Sequence, residues 1–229
     1  MATDSTAAEM DLDTLLDPRR TPLFAALLSD VLDGMGLWRQ ALPARIRPLD
    51  EGLVMLGRAR TALYQEVYSH TEGENPYELE IALVDGLQPG DIPVFACGTS
   101  GRIAPWGELL STAAGVRGAA GALMDGAVRD IKAIRAMGFP VFHGGIAPLD
   151  SKGRGRVAAI DVPVECAGVA VRSGDLILGD ADGVVVIPRD AETEALRRAT
   201  QKLAGERTTL RELQEGQRLA EVFARHGIL

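Results

Sequence analysis

The middle third of the chain alternates short apolar runs with amphipathic helices, and this alternation limits the fold more than any other feature. Helices are predicted over residues 108–116 and 129–137, and strands over 92–96, 121–124 and 139–142. Strands that alternate with helices of this length are joined by parallel crossovers. The sequence therefore predicts an α/β fold built on a parallel sheet.

The N-terminal segment predicts an arm followed by a helix. Residues 1–17 are polar and rich in alanine without any periodicity, so we expect a flexible arm. Thr21 and the proline that follows it are typical of a helix start. Apolar residues then recur at helical spacing until Gly34, which predicts an amphipathic opening helix.

The C-terminal third predicts a hairpin and then a long helix. The dipeptide Asp182-Gly183 lies between two apolar runs, which is a strong signal for a β-hairpin. Asp190 is expected to cap a C-terminal helix over residues 190–206. No repeat or low-complexity linker divides the chain, so residues 18–229 are predicted to form one domain that includes this helix and a tail.

Charge, apolar runs and cysteines exclude several classes of function. The net charge is -8, whereas binding to phosphate backbones needs a clustered cationic surface, so we expect no nucleic-acid partner. No apolar run reaches the roughly 18 to 20 residues of a membrane span, and the first residues lack a signal-peptide pattern. We therefore expect a cytoplasmic protein with no membrane partner. Cys97 and Cys166 are predicted to be buried structural thiols, because they lack metal or redox spacing.

Two carboxylates begin the two central helices. Glu108 starts the first of them, and Asp130, directly after Arg129, starts the second. In a parallel α/β layout such turns meet at one edge of the sheet, where ligands bind, and helix N-termini favour a substrate carboxylate. Alternatively, both acids only match the helix dipoles, at about 0.3–1 kcal/mol each. The residues by themselves leave both interpretations open.

The spacing of these residues resembles that of a known family. Twenty residues separate Glu108 from the pair Arg129-Asp130. This pattern is similar to the acid-x20-Arg-Asp pattern of the 4-hydroxy-4-methyl-2-oxoglutarate aldolases and their RraA-like relatives. The resemblance extends over residues 29–229 and includes three later blocks, at 148–154, 162–164 and 174–184.

The resemblance implies a fold, an assembly and a metal. Members of the family have a swivelling β/β/α fold and form homotrimers or homohexamers with active sites between subunits. The resemblance implies that Asp130 binds Mg²⁺ or Mn²⁺ largely through water. It places Glu108 beside this metal shell, and it brings Glu206 to the shell from the C-terminal helix of a neighbouring subunit.

The resemblance also implies which residues bind the substrate. Arg129 is expected to contact a keto acid. The segment that begins at Gly107 is expected to bind its carboxylate, through the backbone N–H groups of Leu109 and Leu110. Helix N-termini are well suited to carboxylates, which agrees with this role.

These implications give a leading hypothesis for function, a metal-dependent (class II) aldolase. It would cleave a C–C bond of a small carboxylated 2-oxo acid and release pyruvate, with Glu108, Arg129 and Asp130 as catalytic residues. The metal and the guanidinium would stabilise the enolate that forms. Loss of CO₂ from oxaloacetate gives the same enolate, so oxaloacetate is an expected second substrate.

Three alternatives stay open. The aldolases carry an acid at the third position after the Asp, where this chain has Ala133, and this departure favours a different metal-dependent reaction on a related metabolite. A second alternative is an RraA-like regulator that binds RNase E without turnover. A third is a Schiff-base mechanism, which the polar surroundings of Lys132 and Lys152 disfavour.

Overall fold

The computed structural model describes residues 15–98 and 101–228. The strands are β1 (Arg47–Pro48), β2 (Met55–Glu66), β3 (Asp91–Ala96), β4 (Ala122–Met124), β5 (Ala127–Val128), β6 (Val141–His143), β7 (Gly145–Ile146), β8 (Gly155–Ile160), β9 (Val164–Cys166), β10 (Val169–Val171), β11 (Leu176–Asp180) and β12 (Gly183–Ile187). The helices are α1 (Ala25–Asp33), α2 (Glu78–Asp85), α3 (Glu108–Val116), α4 (Ile131–Met137), α5 (Glu192–Gln214) and α6 (Leu219–His226). Within the described residues, no helix is both long and apolar enough to cross a bilayer.

The main sheet has the strand order β1-β6-β4-β3-β2-β11-β12. Its central strands β2, β3, β4 and β6 pair in parallel, which confirms the predicted parallel crossovers and the α/β class. Two strands share the second edge of the long strand β2. β11 pairs antiparallel with the first part of β2, and β8 pairs antiparallel with the last part of β2. β11 and β12 form the predicted antiparallel hairpin.

The two ends of this sheet approach each other. Just before β1, the N–H of Val186 donates to the carbonyl of Gln40 at 2.8 Å, and the N–H of Leu42 donates to the carbonyl of Val184 at 2.9 Å. β1 itself then pairs with β6. One short segment thus contacts strands at both ends of the sheet, which makes the sheet a nearly closed barrel.

Three buried apolar clusters surround the sheet. The first lies under α2, α3 and α4, where the rings of Phe95 and Trp106 are 5.4 Å apart. The second lies between α1, α5 and the hairpin β11–β12. The third covers the opposite face of β3 and includes residues of β9 and β10. Cys97 and Cys166 are buried free thiols, as predicted.

The first helix begins later than the sequence predicts. Thr21 accepts a hydrogen bond from the N–H of Leu23 in a local turn, and α1 starts only at Ala25. The carboxylate of Asp180, at the end of β11, accepts the N–H of Ala25 at 2.7 Å. A helix start leaves N–H groups without intrahelical acceptors. A residue 155 positions away in the sequence supplies this one.

The C-terminal helix also differs from the predicted range of 190–206. It comprises Glu192–Gln214, and Asp190 lies in a 3-10 turn that precedes it and does not cap it. The additional turns are covered by α6, which folds back so that His226 contacts Glu212 at 3.0 Å. Tertiary packing therefore extends this helix.

The predicted arm, residues 1–17, lies largely outside the described residues. Of the three arm residues that the structure describes, Leu15 has only 4 % of its surface exposed. It belongs to the buried cluster between α1 and α5. The packed region therefore includes Leu15, three residues before the predicted boundary at 18.

Candidate active site

Three chain segments leave the parallel sheet side by side at its carboxyl edge. Val128 bridges in parallel to Trp106, and β5 pairs in parallel with β7. The N–H of Arg129 donates to the carbonyl of Trp106 at 2.9 Å, and the N–H of Ala147 donates to the carbonyl of Val128 at 3.1 Å. These contacts therefore hold the residues that follow them next to one another, namely those at 107–108, 129–130 and 147–148.

These segments form the wall of a cleft of ≈ 860 Å³. Glu108, Arg129 and Asp130, the three charged residues predicted to share one site, all line this cleft. Its lining also includes apolar residues from β7 and the segment after it, which were not predicted as site residues. The lining residues are Glu108, Arg129, Asp130, Ile131, Lys132, Ala133, Ile146, Ala147 and Pro148.

Gly107 lies beneath the charged residues and is buried. A Cβ atom at this position would lie 2.5 Å from Oδ2 of Asp130 and 3.1 Å from Cγ of Arg129. The backbone here is fixed by the buried Trp106, whose indole N–H donates to Ser111 at 2.7 Å. The hydroxyl of Ser111 in turn donates to the carbonyl of Gly107 at 2.9 Å. Only glycine leaves room for Asp130 and Arg129.

Asp130 connects the starts of the two helices. It precedes α4 with φ 57° and ψ 31°, a left-handed conformation that Asp tolerates better than most residues. Its Oδ2 accepts the backbone N–H of Glu108 at 3.2 Å. The side chain is still 44 % exposed, so the carboxylate remains open to the cleft.

The first turn of α3 contains the N–H groups expected to bind a carboxylate. Those of Leu109 and Leu110 have no acceptor within the helix, because the first residues of any helix lack one. The side chain of Leu109 is 80 % exposed, and that of Leu110 packs against the core under α3. Neither side chain lines the cleft, so a role in binding depends on the backbone alone.

Arg129 lies between two carboxylates. Its Nε is 3.7 Å from Oδ2 of Asp130, and its Nη1 is 3.6 Å from Oδ1 of Asp150. The same Nη1 donates to the carbonyl of Leu149 at 3.3 Å. Asp150 was not predicted as a site residue, although it lies in the block at 148–154 that contributed to the family resemblance.

Asp150 is itself held by Tyr77, the residue before α2. The Tyr77 hydroxyl donates to Oδ2 of Asp150 at 2.7 Å. Burial alone would raise the pKa of Asp150, but the Tyr77 hydrogen bond, the Arg129 charge and two backbone N–H groups lower it below its usual value. Burial and the contact with Asp150 raise the pKa of Tyr77 to about 12. At neutral pH, Asp150 is therefore charged and Tyr77 holds its proton.

A buried carboxyl group lies behind this arrangement. Glu80 on α2 is 6 % exposed and accepts a hydrogen bond from the buried Tyr64. Burial, and to a smaller extent the charge of Asp150, raise the pKa of Glu80 to about 7, against the effects of the Tyr64 hydrogen bond and the Arg129 charge. This group was not predictable from the sequence, because Glu80 resembles an ordinary polar residue of a surface helix.

The charged groups of the cleft fit a hydrated divalent cation. Within residues 15–98 and 101–228, no three or more His, Cys, Asp or Glu side chains lie close enough to hold a metal by themselves. Glu108 and Asp130 nevertheless bring two carboxylates to one cleft. Mg²⁺ usually keeps several waters and binds through one or two carboxylates. These two residues therefore suit a cation held largely through water.

Three residues of α4 line the cleft, and two of them, Lys132 and Ala133, bear on the chemistry. Lys132 is exposed there, whereas a lysine that forms a Schiff base is usually activated by an apolar pocket or a neighbouring cation. Ala133 places a methyl group where the family aldolases carry an acid. Lys152 is exposed and does not line this cleft. The lining thus offers no desolvated lysine.

Glu206 lies on α5, away from the cleft of its own chain. Its carboxylate is 3.7 Å from Lys202, which also contacts Asp30 on α1. The expected role of Glu206 concerns the cleft of a neighbouring subunit, and it stays a prediction.

Comparison with known proteins identifies relatives over most of the chain. A family described as RraA-like, Aldolase/RraA, matches residues 25–186. A Halalkalibacterium halodurans protein named "Putative 4-hydroxy-4-methyl-2-oxoglutarate aldolase" is 37% identical over 197 residues, which are 86% of this chain and 87% of that protein.

Two solved structures have the same fold. An uncharacterized protein from Pseudomonas syringae superposes with a TM-score of 0.78 and 28% identity, covering 92% of this chain and 96% of that one. Streptomyces coelicolor RraAS2, described as an unusual member of the RNase ES inhibitor RraA protein family, has a TM-score of 0.75 and 27% identity, covering 87% and 96%. These similarities confirm the predicted fold class, a single RraA-like α/β domain with helices at both ends.

Proposed function

Because the chain belongs to the RraA-like family, described as Aldolase/RraA, we propose that it is a divalent-metal-dependent lyase of small carboxylated 2-oxo acids. The name of the Halalkalibacterium relative suggests 4-hydroxy-4-methyl-2-oxoglutarate as the first substrate to test. Oxaloacetate is the proposed second substrate, and pyruvate is the product of both. One observation carries the proposal: Glu108, Arg129 and Asp130 line the same cleft.

Both reactions place a negative charge on the same fragment. Cleavage between C3 and C4 of 4-hydroxy-4-methyl-2-oxoglutarate leaves the electron pair on C3 of a pyruvate enolate. The C4 hydroxyl loses its proton and becomes the carbonyl of a second pyruvate, and the enolate takes up a proton at C3. Loss of CO₂ from oxaloacetate leaves the same enolate. A bound divalent cation would supply a Lewis acid toward the 2-oxo group.

The residues of the cleft have separate tasks in this proposal. Arg129 places a guanidinium charge where negative charge develops, which is the most effective position for such a group. The first-turn N–H groups at Leu109 and Leu110 receive the substrate carboxylate. Glu108 and Asp130 hold the hydrated cation beside it. The arrangement requires no side chain at position 133, although Ala133 also suits a related metal-dependent reaction.

Turnover and metal dependence test the proposal. Purified protein is incubated with 4-hydroxy-4-methyl-2-oxoglutarate, oxaloacetate and other 2-oxo acids, and pyruvate is measured with lactate dehydrogenase and NADH. EDTA should abolish pyruvate release, and Mg²⁺ or Mn²⁺ should restore it. Asp130→Asn should lower turnover at least about 100-fold, because the cation that acts as Lewis acid loses one of the two carboxylates proposed to hold it.

The matched control is Asp190→Asn, which neutralises an exposed carboxylate outside the cleft. We expect it to retain wild-type turnover, and a no-enzyme blank corrects for spontaneous loss of CO₂ from oxaloacetate. Pyruvate release that persists unchanged in EDTA would contradict the metal dependence. Full activity in Asp130→Asn would contradict the assignment of the site.

A second candidate function is binding to a ribonuclease without turnover. The observation that favours it is the similarity to RraAS2, a member of an RNase inhibitor family. An assay of RNase E cleavage with and without this protein tests it. Inhibition of cleavage, together with no consumption of any 2-oxo acid, would favour the regulator over the lyase.

Self-association is also part of the proposal. A homotrimer or homohexamer would bring Glu206 of one copy to the cleft of another, as the family resemblance implies. Light scattering gives the mass of the assembly, and Glu206→Gln should lower turnover without changing that mass. A monomer with full activity would contradict this arrangement.

A further inference from the structure

On the side away from Asp130, the guanidinium of Arg129 has two contacts that orient it. Nη1 donates to the carbonyl of Leu149 at 3.3 Å and lies 3.6 Å from Oδ1 of Asp150. The side chain of Arg129 is 39 % exposed, so burial by itself does not fix its conformation. Arginine has a large rotamer entropy. Its orientation in the cleft therefore depends on these two contacts.

Asp150 is more firmly held than Arg129. The Tyr77 hydroxyl donates a hydrogen bond to Oδ2 of Asp150 at 2.7 Å, so that Oδ1 of Asp150 faces the guanidinium. The side chain of Arg154 donates to the Asp150 backbone carbonyl at 3.1 Å. The next residue, Ser151, is 4 % exposed, and its carbonyl accepts two backbone N–H groups at 2.8 Å. The loop that presents Asp150 is thus anchored at both its side chain and its backbone.

We infer that Asp150, held by Tyr77, is a positioning residue that aims Arg129 at the substrate. The inference rests on the proposed function, since it assigns Arg129 a substrate. Neither Asp150 nor Tyr77 lines the cleft, so both act through Arg129. Because Tyr77 holds one oxygen of Asp150 and the other lies 3.6 Å from Nη1 of Arg129, a fixed negative charge attracts the guanidinium to one position.

The opposite role makes a different prediction for the same variants. If Asp150 only competed with the substrate for Arg129, removal of its charge would strengthen the binding of an anion. If Asp150 positions Arg129, removal of its charge weakens anion binding and slows turnover. The sign of the change separates the two roles.

Three variants test the inference: Asp150→Asn, Tyr77→Phe and the double variant. Asp150→Asn should lower kcat/KM about 100-fold, because small misplacement of a catalytic group has effects of this size. Tyr77→Phe should lower it about tenfold, through loss of one hydrogen bond to a charged group. If the two residues act as one unit, the double variant should be no worse than Asp150→Asn.

A second readout does not depend on turnover. Binding of oxalate, a dianion similar in shape to the pyruvate enolate, is measured by calorimetry in the presence of Mg²⁺. Asp150→Asn should weaken the binding of oxalate at least about tenfold. A crystal structure of this variant should show the Arg129 guanidinium displaced from the Leu149 carbonyl. Asp85→Asn is the control, because it breaks an Asp–Arg contact at the surface, with Arg117.

The outcomes distinguish this inference from the proposed function. A wild-type protein that turns over no 2-oxo acid would reject the proposed reaction. Displacement of Arg129 in Asp150→Asn would still support the positioning role in that case. Oxalate binding that is unchanged or tighter in Asp150→Asn, or an unmoved guanidinium, would overturn the inference. So would multiplicative losses in the double variant, because they would mean that the two residues act separately.

Discussion

The buried carboxyl of Glu80 should make the stability of this protein fall as the pH rises. Its pKa in the folded protein is about 7, against an ordinary value of 4.5. The folded state therefore keeps a proton that the unfolded chain has already released between these two values. The contribution of Glu80 to stability is therefore most favourable below pH 4.5 and declines until about pH 7, because its carboxyl binds more protons in the folded state over this range.

The size of the effect follows from the two pKa values. Each unit of pKa corresponds to about 1.4 kcal/mol, so a rise from 4.5 to about 7 weakens the folded state by about 3 kcal/mol above pH 7. Glu80→Gln removes this pH-dependent loss of stability, since an amide does not ionise. The amide oxygen of the glutamine side chain still accepts the hydrogen bond from Tyr64. The buried NH₂ group of the glutamine lowers the free energy of unfolding by an amount that does not vary with pH.

Urea denaturation at pH 4.5, 6, 7 and 8, at one protein concentration, measures the free energies of unfolding. The difference between wild type and Glu80→Gln should shift by about 3 kcal/mol in favour of the variant from pH 4.5 to pH 8. Other titrating groups cancel in this difference. Glu78→Gln is the control, because Glu78 lies on the same helix and is exposed. A difference for Glu80→Gln that is constant with pH would refute the reasoning.

Two other substitutions test the geometry of the fold and the site. Gly107→Ala should lower 2-oxo acid turnover about 100-fold, because the new methyl group displaces Asp130; unchanged kcat/KM would show that the backbone relaxes without cost. Asp180→Ala removes the acceptor for the N–H of Ala25 and should cost about 1–2 kcal/mol in urea denaturation. Glu72→Ala, which removes an exposed carboxylate from the loop before α2, should change stability much less, and equal losses would contradict a capping role for Asp180.

Local patterns were sufficient for the central elements. The helix α3 has the bounds that its sequence predicts, and the hairpin β11–β12 forms around the dipeptide Asp182-Gly183. Both depend on residues within about one turn or one strand of each other, where propensity and periodicity act directly. The meeting of Glu108 with Arg129 and Asp130 was also predictable. Consecutive parallel strands deliver their following residues to one edge.

Contacts between distant segments were not predictable in this way. The pair of Tyr77 and Asp150 spans 73 positions, and no periodicity links two residues so far apart. The same holds for Asp180, which caps a helix that begins 155 positions earlier in the sequence. The C-terminal helix is longer than predicted for a similar reason, since α6 covers its last turns.

The sequence by itself determined the α/β class, the central helices and the three charged residues of the cleft. It could do so because hydrophobic period and strand–helix alternation act over short distances. The tertiary structure alone decided that Gly107 must lack a side chain, that Asp150 faces Arg129, and that Glu80 is buried. Steric room, ion pairing and desolvation depend on which distant segments pack together, and a linear pattern does not contain that information.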